Sequence, residues 1–272
     1  VFDSELGRGS NRPVIRGQAN ILGNSGVSYF IDGVYISGSI DDYDLNDVQQ
    51  LEVVKGPQSA LYGRNTYSGA INIITRSPGE DFGARAKVQI AEDNNYEVAA
   101  SINGPFGNSG WSGGLHVRHW ELGGYDTNLW DGSDIGIQET NSVSGVIEYD
   151  NNDNFRLRAR AYYNERDDGQ PVIALSDTAN NNCFFDEGSY YNGVGRYFCG
   201  TVEALPINTD YPFQAPGAGN RVDTLQTSLR MDWTLNDAWQ LTSITGFNDI
   251  SDSLLQDGDY LPTSFQTTNF TP

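Results

Sequence analysis

The chain has 272 residues, and its 16 Lys and Arg against 36 Asp and Glu leave a net charge of −20. That length allows one large domain or two modest ones, and the acidic balance repels nucleic-acid backbones, so no nucleic-acid partner is expected. No apolar run approaches the ~18 residues of a transmembrane helix, which excludes a helical membrane protein but not a β-barrel, whose strands alternate polar and apolar residues. With 31 Gly, 15 Tyr and a single Met, the composition suits strands and turns better than helices. No leader-like segment is visible after Val1-Phe2-Asp3, which fits either a mature or truncated chain or a cytosolic one.

Residues 1 to about 78 carry short mixed elements. Val14-Ile15-Arg16 is a brief strand candidate ending at Gly17. Ser28–Ile31 and Val34–Ile36 flank Asp32-Gly33, the dipeptide that most strongly signals a tight hairpin. Asp44 or Asn46 can cap a short turn leading into a strand at Leu51–Val54, which Gly56-Pro57 stops. A short helix is expected over Gln58–Tyr62, with Gly63 as its C-terminal stop. Ala70–Thr75 is a last strand before Ser77-Pro78-Gly79.

From Phe82 onward the period is two. Phe82, Ala84, Ala86, Val88 and Ile90 alternate with polar residues, and similar runs follow near Tyr96–Asn103, Trp111–Arg118, Val143–Tyr149, Phe155–Tyr163, Leu225–Trp233 and Trp239–Ile250. These make about seven strands near or above the ~9–11 residues that cross a bilayer when tilted. Tight turns at Asp93-Asn94-Asn95, Asn151-Asn152-Asp153 and Asn236-Asp237 alternate with long connections near 123–135 and 167–221. Outer-membrane barrels are built with short turns at one end and long loops at the other. Aromatic residues near strand ends, such as Trp111, Tyr149 and Trp233, fit interfacial girdles. A soluble β-sandwich also alternates, but Arg156, Arg158 and Arg160 on one strand face suit a polar lumen better than a sandwich core.

The first module resembles the plug domain of TonB-dependent outer-membrane receptors. The residues that carry the resemblance are Pro13–Gly17, Phe30-Ile31-Asp32-Gly33-Val34-Tyr35, the long run Asp47–Asn65 with Leu51-Glu52-Val53-Val54-Lys55-Gly56-Pro57 at its centre, and Ser68–Arg76. The resemblance implies a mainly β fold in two parts. Residues 1–78 would be the C-terminal part of a small α+β plug domain, and 79–272 the first antiparallel strands of a transmembrane barrel of about 22 strands. It also implies an outer membrane of a Gram-negative bacterium, lipid around the barrel, coupling to TonB through an N-terminal segment, and import of a small-molecule or oligosaccharide ligand such as an iron–siderophore, a cobalamin or a glycan. No cofactor is implied. About seven strands cannot close around a plug, and open sheet edges are not tolerated in lipid, so a piece of a longer receptor is expected. A non-transporting outer-membrane channel or a surface adhesin is the other reading.

Under this resemblance the apical plug loops supply ligand contacts, and Asn20, Asn24, Tyr43, Asn65 and Tyr67 are the candidates. Glu52 and Lys55 are expected at the barrel wall, with Arg156, Arg158 and Arg160 as wall-side partners of plug carboxylates or as a solvated lumen face. The connection at 167–221 is too long for a mere connector. It carries Phe184, Tyr190, Tyr191 and Tyr197, which suit either an aromatic-lined extracellular binding loop or a lid that stabilises the rim. Cys183 and Cys199 lie in the same stretch; a disulfide closing a surface loop is expected, and two free thiols are the alternative.

An enzyme is not expected. Lys55–Ser59 lacks the spacing of a phosphate loop, no Gly-x-Ser-x-Gly elbow occurs, and His116 and His119 fall on opposite strand faces and cannot share a metal. Loop carboxylates such as Asp126, Asp131 and Asp134 match no EF-hand spacing, so solvated charge is the better reading than calcium.

Overall fold

The computed structural model describes residues 2–3, 8, 12–17, 26–37, 40, 43–57, 59–63, 65–151, 153–170, 183–184, 196–197, 218–257 and 266–269. Strands β1 (Phe2–Asp3) and β2 (Arg12–Pro13) form a short antiparallel pair. A four-stranded mixed sheet follows, built from β3 (Val27–Ile31), β4 (Val34–Ile36), β5 (Val48–Lys55) and β6 (Gly69–Thr75) in the order β4-β3-β6-β5. A helical turn, α1 (Ser59–Tyr62), joins its last two strands. Asp32 and Gly33 both adopt positive φ (50° and 82°), the tight hairpin geometry that Asp-Gly signals. Gly69 opens β6 with a φ of 159° because β5 runs against it; a Cβ there would lie 2.5 Å from the Val54 carbonyl oxygen. Val14–Arg16 is not a strand: Ile15 makes an isolated bridge, and Arg16-Gly17 turns with positive φ at both residues.

The second sheet is larger and antiparallel. Its strands are β7 (Gly83–Ile90), β8 (Tyr96–Pro105), β9 (Trp111–Leu122), β12 (Gln138–Asp150), β13 (Phe155–Gly169), β16 (Gly219–Asn236), β17 (Trp239–Asp257) and β18 (Gln266–Asn269). Two small pairs stand in its connections: β10 (Asp126–Thr127) with β11 (Asp134–Ile135), and β14 (Cys183–Phe184) with β15 (Arg196–Tyr197). The expected strands are all present, β18 makes eight, and neighbours in sequence pair with each other as in an up-and-down meander. One turn departs from the expected alternation. The 93–95 turn lies at the same sheet end as the long connections, because a further tight turn at 106–110 separates β8 from β9 at the other end.

The faces of this sheet are reversed relative to a soluble protein. Val88, Ile102, Leu115, Val117, Ile147, Leu229 and Phe247 are exposed on one face, whereas Glu97, His116, Glu148, Arg160, Asn164 and Arg166 are buried on the other. Water favours the opposite arrangement, since exposing apolar surface and burying charge both cost free energy. Hydrocarbon around the apolar face removes the contradiction.

The apolar band has two borders. At the tight-turn end the rings of Trp111, Tyr149, Phe155 and Trp233 form a ladder with successive centroids 4.9, 6.3 and 6.4 Å apart. Towards the long-connection end the outward positions become polar: Tyr163 donates to Asp223 at 3.1 Å, Arg221 pairs with Asp167 at 3.1 Å, and His119 contacts Asn141 and Tyr96 at 2.7 and 3.1 Å. Strands of 13 to 19 residues (β12, β13, β16 and β17) exceed the ~9–11 needed to span, so their polar ends rise beyond the band. Among the described residues no helix is long and apolar enough to cross a membrane.

Candidate functional site

The small sheet packs on the inner, polar face of the large one. Ile15, Val27, Tyr29, Ile31, Ile36, Tyr43, Ile71 and Ile73 form its core, and Tyr162 of β13 joins them from the wall. Around that apolar patch the contact is ionic and falls into three groups.

At the tight-turn end Arg158 is the hub. Its guanidinium donates to Glu148 on the adjacent strand, to Thr75 Oγ1 at 2.6 Å, to the Arg76 carbonyl at 3.0 Å and to Ser77 Oγ at 2.7 Å. Asp32 lies 3.8 Å away and itself accepts from the Thr75 N–H and hydroxyl at 2.9 and 2.6 Å. The hairpin, the end of β6 and the following connector are therefore fastened to one wall arginine. A cavity of about 350 Å³ opens beside it, lined by Asp32, Asn72, Arg156, Arg158, Arg230 and Asp232.

In the middle, Asp47 accepts from Arg160 at 3.0 Å and from Ser144 at 2.8 Å, while Arg160 also donates to the Tyr43 hydroxyl at 2.8 Å. Tyr43 stacks at 5.0 Å on Tyr162. Burial pushes the Tyr43 phenol well above its ordinary pKa, with Arg160 opposing the shift only in part. Beside it Asp44 caps the 3₁₀ turn Leu45–Asp47 through the Asn46 N–H at 2.8 Å and takes a hydrogen bond from His116 Nε2. Burial alone raises the Asp44 carboxyl, but the bonds from His116 and the Asn46 backbone outweigh it and hold the group below the usual carboxylate range. The Asn46 amide donates to Glu97 at 2.8 Å, and Glu97 also takes Lys87 and Arg118. A second cavity, about 380 Å³, lies next to this group and is lined by Asp47, Arg76, Arg85, Asn103, His116 and Ser144.

The third group is at the long-connection end. Arg8 reaches across to Asp168, to Thr140 Oγ1 at 2.9 Å and to the Glu139 carbonyl at 3.1 Å, with its guanidinium 4.7 Å from the Trp120 ring centroid.

An apolar-out, polar-in sheet is thus wrapped on a small mixed sheet through ionic ties. Residues 1–70 match the TonB-dependent Receptor Plug Domain. The N-terminal module is thus a plug domain of the TonB-dependent receptors. Among curated relatives, the vitamin B12 transporter BtuB of Photobacterium profundum is 29% identical over 144 residues, covering 50% of this chain and 23% of that protein. The probable TonB-dependent receptor BfrD of Bordetella pertussis is 40% identical over 74 residues, 27% of this chain and 9% of that protein. The chain thus spans less than a quarter of the length of these two relatives. The siderophore receptor PiuA of Acinetobacter baumannii shares the fold, with a TM-score of 0.67 at 18% identity, over 90% of this chain and 31% of that one.

The expected site residues fall in different places. Asn20, Asn24, Tyr190, Tyr191 and Cys199 lie outside the described residues. Asn65 has a φ of 61° and its carbonyl accepts from Ser28 at 3.0 Å; Tyr67 is exposed, at the opposite end of β3 and β6 from the Asp32-Gly33 hairpin. Tyr43 does not face a ligand space. It is 7% exposed and bonded to the wall, because the following cap residue Asp44 is drawn down onto His116. Among the described residues Glu52 is bonded within its own sheet and not to the wall: it accepts from Gln50 and Asn72 at 3.0 and 3.1 Å. Lys55 is exposed, and its side chain makes no hydrogen bond or ion pair among the described residues. Arg156 pairs with Glu148, a wall residue, at 3.0 Å, whereas Arg158 and Arg160 reach the plug.

Phe184 and Tyr197 contribute backbone to the β14–β15 pair, and Cys183 is disulfide-bonded. In the loop, Asp131 turns onto Ser133, which donates through its N–H and hydroxyl at 2.9 and 2.7 Å and lowers the carboxyl's pKa. Arg8, Asp44, Asp47, His116, Thr140 and Asp168 were missed as contact residues. The one available signal was the face shared by His116, Arg118 and Trp120, which alternation makes inward.

Proposed function

We propose that this chain is the plug and first wall strands of a TonB-dependent outer-membrane transporter of a Gram-negative bacterium, with 1–78 as plug and 79–272 as wall. In this reading the receptor binds a scarce nutrient, such as an iron–siderophore, a cobalamin or a glycan, and passes it to the periplasm when TonB acts on the N-terminal side of the plug. The observation that carries it is the ionic fastening of a small plug sheet to the polar face of lipid-facing strands. Such contacts, flanked by cavities of about 350 and 380 Å³, hold the plug without the large dry interface that would lock it in place. In this reading the work is binding and movement.

The test is uptake by cells expressing the receptor. Accumulation of radiolabelled candidate nutrients is expected to vanish in cells lacking TonB or treated with a protonophore. Uptake that persists in both identifies a passive channel and overturns the transporter reading.

A further inference from the structure

The contact of Arg8 with the wall has the features of a receptor site. Four adjacent strands build it: Trp120 from β9, Thr140 and the Glu139 carbonyl from β12, Asp168 from β13 and Asn220 from β16. Asp168 takes the guanidinium with both oxygens, through Nε at 3.0 Å and through Nη2. Thr140 Oγ1 and the Glu139 carbonyl accept at the remaining edge, and the indole of Trp120 covers the face. Two-pronged carboxylate recognition with an aromatic lid is selective for a planar guanidinium, and more weakly for an ammonium.

All the wall-side parts belong to the large sheet, but the occupant belongs to the N-terminal module. Among the described residues Arg8 is further held by Asn220 Nδ2, which donates to its carbonyl at 3.3 Å. A second wall cation stands ready: Arg166 is 4% exposed, its buried Nε has no hydrogen-bond partner, and it lies 3.7 Å from Asp168. When Arg8 leaves, Asp168 is not stranded as a bare buried charge, so the usual penalty for breaking a buried pair is reduced. The seat lies at the long-connection end, within two residues of the connection that follows β13. The chain's net charge of −20 favours the approach of cations.

We propose that this seat is a ligand subsite for a guanidinium or alkylammonium group, and that Arg8 occupies it as a tethered stand-in that an incoming cationic ligand displaces. The proposal rests on the transporter reading and adds the chemical class of the cargo: it carries at least one cationic group. Displacement releases one of the three ionic ties between the N-terminal module and the wall, while those at Arg158 and Arg160 remain. A tethered side chain competes at an effective concentration in the millimolar range, so removing it sharpens binding of a free ligand.

The probe is Nα-acetyl-arginine amide, titrated by calorimetry into the detergent-solubilised receptor, with the neutral isostere Nα-acetyl-citrulline amide as control. Arg8→Ala is expected to bind the arginine probe at least tenfold more tightly than wild type and not to bind the citrulline probe. Adding Asp168→Asn is expected to abolish the gain. Arg8→Lys, which keeps charge but loses the fork, is expected to bind at least threefold more tightly than wild type and serves if Arg8→Ala does not assemble. Equal affinity in wild type and the Arg8 variants, or binding of citrulline, overturns the proposal. TonB-dependent uptake without probe binding overturns the cationic subsite alone. Probe binding without TonB-dependent uptake leaves the seat standing and overturns the transporter reading on which the proposed cargo class rests.

Discussion

Replacing Arg160 with Ala removes the central fastening between plug and wall. Arg160 is 6% exposed and bridges Asp47 at 3.0 Å and the Tyr43 hydroxyl at 2.8 Å. Breaking a buried ion pair by deleting one partner costs ~3–5 kcal/mol. Asp47 keeps its bond from Ser144, which places the expected loss at the lower end, about 3 kcal/mol, or roughly two orders of magnitude in the docked-to-undocked ratio. Hydrogen exchange of peptides covering the Leu45–Asp47 turn and β6, in the detergent-solubilised receptor, reads that ratio directly. Arg156→Ala is the control. Arg156 ties wall to wall and is half-exposed, so its loss is expected to change plug protection by under ~1 kcal/mol. Arg160→Met combined with Asp47→Asn removes both charges and is expected to recover much of the protection. If Arg160→Ala and Arg156→Ala change exchange equally, the plug is not held by this bridge and the reasoning fails.

The Asp44 carboxyl has a lowered pKa in the fold, so its contribution is present above the ordinary value of ~3.9 and is lost as pH falls through the folded value. Plug protection in wild type is expected to drop in acid below about pH 4, and Asp44→Asn to flatten that drop; an unchanged acid profile counts against it. Ile147→Arg places a charge in the outward apolar band at an expected cost of ~2–4 kcal/mol, read as loss of folded barrel in a urea titration into lipid bilayers. Gly69→Ala drives a Cβ to 2.5 Å from the Val54 carbonyl in a strained backbone region, so the β5–β6 pair is expected to lose ~1–3 kcal/mol by hydrogen exchange, with β3–β4 amides as the internal reference.

Much of the fold was legible because its signals are local. Asp32-Gly33 makes its hairpin from two residues, and alternation assigns Leu115 and Val117 outward and His116 inward without any knowledge of the partner strands. The brief strand at Val14–Arg16 was misread because β-prone residues there have almost no neighbour to pair with. The 93–95 turn was assigned to the wrong end because 106–110 carries a tight turn of its own, so two short turns follow each other before the first long connection.

The candidate site was legible only as a class. That arginines on β13 face a polar lumen follows from their spacing, and so does the need for carboxylate partners. Which carboxylate each one meets does not, since Arg160 is 113 residues from Asp47 and Arg8 is 160 from Asp168. Tyr43 looked like a ligand-facing loop residue by composition, and only the packing of Tyr162 and Arg160 around it made it part of the core. The amino-acid sequence by itself determined the family motif, the two-faced strands and the outward apolar band, because each depends on neighbours a few residues apart. The tertiary structure decided the pairing of charges between plug and wall. That pairing depends on how one sheet sits inside another, and desolvated charges accept only partners that the fold brings within hydrogen-bonding reach.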